Sequence, residues 1–142
     1  TRPWQHVLEA VGGYLCLAIN LKFNKNLHGE SFNFGPKLHK EYSVLDLVKN
    51  ISKHWSDVSW KIEKKTNKNF FESSLLRLNC NKARKVLKWK SILSFNETGK
   101  MVADWYSSYY IDPKKVNKIT EKQIREFQIL ARKRNLKWAK IS

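Results

Sequence analysis

The stretch from residue 6 to residue 22, HVLEAVGGYLCLAINLK, constrains the fold more than any other part of the chain. At helical spacing Val7, Val11, Tyr14, Ala18 and Leu21 form one apolar stripe, and Leu8, Leu15 and Ile19 form an adjoining one. A helix apolar over so wide an arc is normally sandwiched between layers. Gly12 and Gly13 each weaken a helix by about 1 kcal/mol relative to alanine, so their mid-helix position predicts a neighbour pressed close against them. Arg2, Trp4, Gln5 and His6 crowd just ahead of this helix, where a chain end is ordinarily solvated. The expectation is a sequence that starts partway through a larger body.

The remaining elements are read from caps and alternation. SFNFG at 31–35 alternates and stops at Gly35-Pro36, which predicts a short strand. Ser43 and Asp46 make a capping box for a helix over 44–54. VSWKIE at 58–63 and LLRL at 75–78 are further short strand candidates, and Asn79 is placed to cap a helix running through Leu87. Ser94 and Glu97 form a second capping box, opening a helix that aligns Thr98, Val102, Trp105 and Tyr109 and ends near Pro113. Thr120 and Gln123 predict a terminal helix with Ile124, Phe127 and Leu130 inward. The fold class read from the pattern is α+β, mostly helical with two or three short strands, and so small a sheet needs a covering layer to be stable.

A chain of 142 residues with 42% hydrophobic and 13% aromatic content has the material for one folded domain. Its formal charge of +16 argues for an anionic partner, although Lys and Asn are abundant throughout and part of the excess is compositional habit. The longest apolar run, near residues 14–19, falls short of the roughly 20 residues a membrane span needs, so no membrane role is expected. Cys16 and Cys80 show no metal or redox spacing and read as structural thiols of a reduced, cytoplasmic protein.

Catalytic groups are few. Gly12-Gly13 lies within a helical pattern and lacks the third glycine of a dinucleotide cradle. Tyr110 and Lys114 match a Tyr-x-x-x-Lys spacing, but Pro113 breaks the helix that would set them on one face. His6, His28, His39 and His54 form no i,i+4 metal pair. The segment ARKRNLKWAK at 131–140 carries clustered cations and Trp138 for stacking on a nucleic acid; a solvated helix end is the plainer reading of it.

Several runs together resemble a known family. Thr1 to Glu9 (TRPWQHVLE) with Gly13-Tyr14-Leu15, Phe32-Asn33-Phe34-Gly35-Pro36, Val44-Leu45-Asp46-Leu47-Val48, Lys53-His54-Trp55, Leu76-Arg77-Leu78-Asn79, Lys82-Ala83, Leu87, Trp89, Trp105-Tyr106, Thr120 and Gln123-Ile124 resemble, in order, the C-terminal part of CDP-glucose 4,6-dehydratases. These are members of the extended short-chain dehydrogenase/reductase superfamily. The likeness runs to about residue 127, so 1–127 is read as a sugar-nucleotide-binding C-terminal domain and 128–142 as a basic C-terminal extension.

The resemblance implies that the Rossmann domain, with NAD and the catalytic Tyr-x-x-x-Lys pair, lies outside this sequence. No cofactor and no catalytic residue are then assigned to this chain, and the 31–35 strand and first helix have lost their partners. It also implies a nucleotide-diphosphate sugar as ligand, gripped by Arg2, with Lys68, Phe71 and Glu72 near the substrate. Phe71-Glu72-Ser73 stands where the family usually has His-Glu-Ala, which puts the identity of the substrate in doubt. Two other functions remain open at this point: a structural or complementing subunit that self-associates or docks on a separate Rossmann chain, and a basic nucleic-acid-binding domain.

Overall fold

The computed structural model describes residues 1–37, 41–62 and 76–140, without the side chains of Lys137 and Lys140. Among the described residues five α-helices carry the architecture: α1 (Val7–Phe23), α2 (Val44–Ser52), α3 (Asn81–Val86), α4 (Phe95–Ile111) and α5 (Val116–Lys133). Short 3₁₀ turns occur at Lys25–Leu27, Pro113–Lys115 and Lys137–Lys140. Helix α2 packs on α4, and α4 on α5.

Two of the caps read from the sequence form as expected, and His6 adds one the sequence reading did not name. His6 closes the start of α1 through its imidazole Nδ1, which accepts the Leu8 N–H. Ser43 with Asp46 and Ser94 with Glu97 form reciprocal capping boxes on α2 and α4. Each box satisfies two backbone donors that a helix start otherwise leaves open. Asn79 Oδ1 accepts the Asn81 N–H at 3.0 Å, one residue ahead of the Cys80 that occupies the cap position of α3.

Two expectations fail. Among the described residues no strand forms, and the single backbone bridge is Arg2 to Tyr42. The alternation of SFNFG has another origin: Phe34 is buried and Phe32 packs on the same cluster, with the Lys82 ammonium 4.9 Å from the Phe32 ring centre. The described parts of the other two strand candidates, 58–62 and 76–78, are also irregular. The second correction concerns α5, which starts at Val116 rather than at a Thr120 cap. Asp112 accepts the Lys114 N–H with Pro113 behind it, a stronger start signal, and the 3₁₀ turn runs straight into the helix. Thr120 instead accepts the Trp105 indole N–H at 2.9 Å, tying α5 to α4. Phe127 is buried as expected, whereas Ile124 is 39% exposed and Gln123 turns inward to donate to the Met101 carbonyl at 2.6 Å.

The interior comprises two clusters. One gathers Cys16, Leu27, Phe34, Cys80, Ala83, Leu87 and Trp89, with Leu17 and Leu21 of α1 against it. The other gathers Ile92, Leu93, Met101, Phe127, Ala131, Leu136 and Ala139, with Leu8 of α1 against it. Trp138, the residue offered for stacking on a base, lies 6.2 Å from the Phe127 ring at 25° and packs on this second cluster.

Of the glycine pair, Gly13 has the close neighbour expected, whereas a Cβ on Gly12 would meet Phe127 at an ordinary 3.6 Å. A Cβ on Gly13 would stand 2.6 Å from the Phe34 ring, so only glycine lets the 31–35 segment close over α1. One face of that helix is not roofed: Val7, Tyr14, Leu15 and Phe23 are 66%, 64%, 62% and 78% exposed. Cys16 and Cys80 are buried free thiols, and burial pushes both up from their ordinary values. No described helix is long and apolar enough to cross a membrane.

Candidate functional site

The N-terminal run is pinned before it enters α1, through Arg2, Trp4 and Gln5. Arg2 pairs its backbone with Tyr42, and its guanidinium donates to the Thr1 carbonyl at 2.8 Å. The Trp4 indole donates to the Tyr42 carbonyl at 3.1 Å, and the Gln5 amide donates to the Phe34 carbonyl at 3.0 Å. Tyr42 in turn stacks on Phe95, with ring centres 3.7 Å apart and planes within 3°. These contacts tie residues 1–5 to the loop ahead of α2 and to the start of α4.

Between them opens a cleft of about 720 Å³. Among the described residues it is lined by the cations Arg2, Lys37, Arg77, Arg84, Lys90 and Arg134 and the acids Glu9 and Glu41, with Trp4, Tyr42, Trp89 and Phe95 as aromatic wall. Arg77 pairs with Glu41, and Arg134 donates to Glu97 at 2.6 Å. A concave surface with this sign of charge focuses its field outward and draws in anions. Arginine forks also match the paired oxygens of phosphate.

At the back of the cleft is Glu9. It is 2% exposed, and its Oε1 accepts the backbone N–H groups of Ile92 and Leu93 at 2.6 and 2.5 Å. Desolvation pushes its carboxyl up to about 7, against the pull of those two amides and of Arg134, with the Glu97 carboxylate adding to the rise. Among the described residues, neither Oε2 of Glu9 nor Oε1 of Gln5 has a hydrogen-bond partner. Burial holds the neighbouring His6 imidazole below its usual value.

Of the residues singled out from sequence, Arg2 lines the cleft. Lys68, Phe71 and Glu72 lie outside the described residues, as does His39. Tyr110 is 70% exposed at the end of α4, and α4 ends at Ile111, short of Lys114. Glu9, Arg84, Lys90 and Arg134 were not anticipated as site residues. The available signal for Glu9 was a lone acid inside an apolar helix, three residues after the His6 cap.

No family model matches the chain. Over 109 residues, 76% of its length, it is 31% identical to a CDP-glucose 4,6-dehydratase of Salmonella typhimurium. The match spans 30% of that protein, so the chain corresponds to less than a third of this relative's length. The resemblance read from the sequence is borne out by this comparison.

Proposed function

We propose that this relative of the CDP-glucose 4,6-dehydratases uses the basic cleft to grip the diphosphate of a nucleotide sugar, with Arg2 as the principal contact. One observation carries the reading: Arg2, held by its bridge to Tyr42, lines a cleft with Lys37, Arg84 and Lys90 beside it. The name of the Salmonella protein supplies the ligand class, and CDP-glucose is the compound to try first.

In this reading the chain contributes the grip of a longer dehydratase-like protein. NAD would supply the hydride chemistry of such an enzyme, and the residues described here do not fit it. The Gly12-Gly13 pair lies within α1, with Gly13 closed off by the Phe34 ring, so its backbone offers no phosphate cradle.

Calorimetric titration of the whole chain with CDP-glucose tests the grip. Saturable binding is expected, weakened at least ~10-fold by Arg2→Met, since truncating one side of a charged contact commonly costs that much or more. Absence of heat at millimolar ligand with folded protein refutes the proposal.

A second reading rests on the outer face of α1, where Val7, Tyr14, Leu15 and Phe23 stand exposed. A contiguous apolar face of this kind marks an interaction surface. It would be covered either by a second copy or by the remaining body of a dehydratase-like protein. Sedimentation velocity separates these: a concentration-dependent dimer supports the copy, and a monomer throughout removes it.

A further inference from the structure

Between Glu72 and Glu97 the chain carries Arg77, Lys82, Arg84, Lys85, Lys88 and Lys90 and no acid. On α4 and α5, by contrast, Lys100 pairs with Asp104, Lys122 with Glu126 and Arg125 with Glu121. The imbalance at α3 is therefore local and exceeds what the abundance of lysine along the chain accounts for. Lys82 and Arg77 are neutralised by Glu30 and Glu41. Arg84, Lys85, Lys88 and Lys90 make no ion pair among the described residues.

The fold turns these four cations into one ridge. Cys80, Ala83 and Leu87 are buried and hold α3 to the core along one side. Arg84, Lys85 and Lys88 occupy positions three or four apart on the opposite, exposed side. Lys88 then takes a left-handed conformation, with φ at 55°, which asparagine or glycine adopts more readily than lysine. That turn carries Trp89 into the core, where it is 3% exposed, and leaves Lys88 and Lys90 outside on either side of it.

The composition of the ridge selects among anions. Arg84 and Lys90 also line the cleft, whereas Lys85 and Lys88 do not, so the charge extends beyond what a single diphosphate in the cleft can reach. An anion that uses all four must repeat its charge along a line. The ridge has no open ring for a base to stack on: Trp89 is buried, and half-buried Phe32 has the Lys82 ammonium over it. An anionic membrane is a poor match as well, since Val86 is the sole exposed apolar side chain described between Asn79 and Lys90. Duplex nucleic acid presents one phosphate charge per roughly 1.7 Å with its bases turned inward, and it fits a surface that offers charge alone.

We propose that Arg84, Lys85, Lys88 and Lys90 dock the phosphodiester backbone of duplex nucleic acid without regard to sequence. This goes beyond the diphosphate grip and does not depend on it.

The test is fluorescence anisotropy of a labelled duplex of about 20 base pairs with the whole chain, between 50 and 200 mM salt. Binding is expected on the order of micromolar at the lower salt. Four contacts at about 0.9 each give a slope of log affinity against log salt of about −3.5, a loss of roughly a hundredfold over that range. Lys85→Gln combined with Lys88→Asn leaves the cleft lining untouched, and asparagine suits the left-handed turn. This double variant should lower the slope by about 2 and weaken binding at 50 mM salt at least ~10-fold, with CDP-glucose titration unchanged within about twofold. Lys114→Gln with Lys118→Gln removes the same charge near the junction of α4 and α5 and should leave the slope as it is. Absence of binding at 50 mM salt overturns the proposal, as does an equal loss in the two double variants, which would mean that net charge alone acts. It is also overturned if single strands of equal charge, poly-glutamate or phosphatidylglycerol vesicles bind as tightly as the duplex. Duplex binding without CDP-glucose binding refutes the diphosphate grip alone, and the reverse refutes this proposal alone.

Discussion

Replacing Glu9 by glutamine should change the way stability depends on pH. In the native chain the carboxyl holds its proton up to about pH 7, whereas in the unfolded chain it releases it near the usual 4.5. Between those two values the native state binds more protons than the unfolded state, so stability falls as pH rises through the window and levels off above it. Each tenfold in proton affinity is worth about 1.4 kcal/mol, which makes the full loss about 3 kcal/mol. Most of it accrues between pH 5 and 8. His6 acts in the opposite sense, because a buried imidazole held below its normal value costs stability as pH falls below about 6.5. The wild-type profile is the sum of both, so the informative quantity is the difference between wild type and Glu9→Gln. Glutamine mimics the protonated acid and still accepts from Ile92 and Leu93. Urea titrations at pH 5, 6, 7 and 8 should therefore show the variant gaining about 2 to 3 kcal/mol on wild type from the lowest to the highest pH. A difference that stays constant across the four pH values would refute the argument that burial dominates at Glu9.

Two glycines supply further tests. Gly13→Ala places a methyl group 2.6 Å from the buried Phe34 ring and should destabilise the chain by about 1 to 3 kcal/mol in urea melts, the usual cost of overpacking. At Gly99 an added Cβ would fall 1.6 Å from Oδ1 of buried Asn50, which itself donates to Asn96 at 2.6 Å. Gly99→Ala should thus be destabilising alone and less so in an Asn50→Ala background, a coupling that a double-mutant cycle measures directly.

Helices were legible because their start signals are local. The Ser43–Asp46 and Ser94–Glu97 boxes need only neighbours three residues away, and both form as read. Strands were misread because alternation reports burial on one side without saying what does the burying. Phe34 is buried by α1 and Trp89, its ring 5.0 Å from the indole at 78°, and no hydrogen-bonded neighbour is required. The start of α5 was missed because two cap signals competed and the one containing proline won. Within the site, Arg2 was legible as a charge next to a conspicuous run. Glu9 was not, since what sets it apart is the loss of water around it, and that loss is created by residues 92 and 93 arriving from across the chain.

Helix α1 touches both apolar clusters, Leu8 contributing to one and Cys16, Leu17 and Leu21 to the other. Neither half of the interior can come apart without exposing part of the same rod. Amide exchange along the middle of α1 should therefore be as slow as the slowest in the molecule, and damage done near Phe34 should be felt at Phe127, through a common unfolding step.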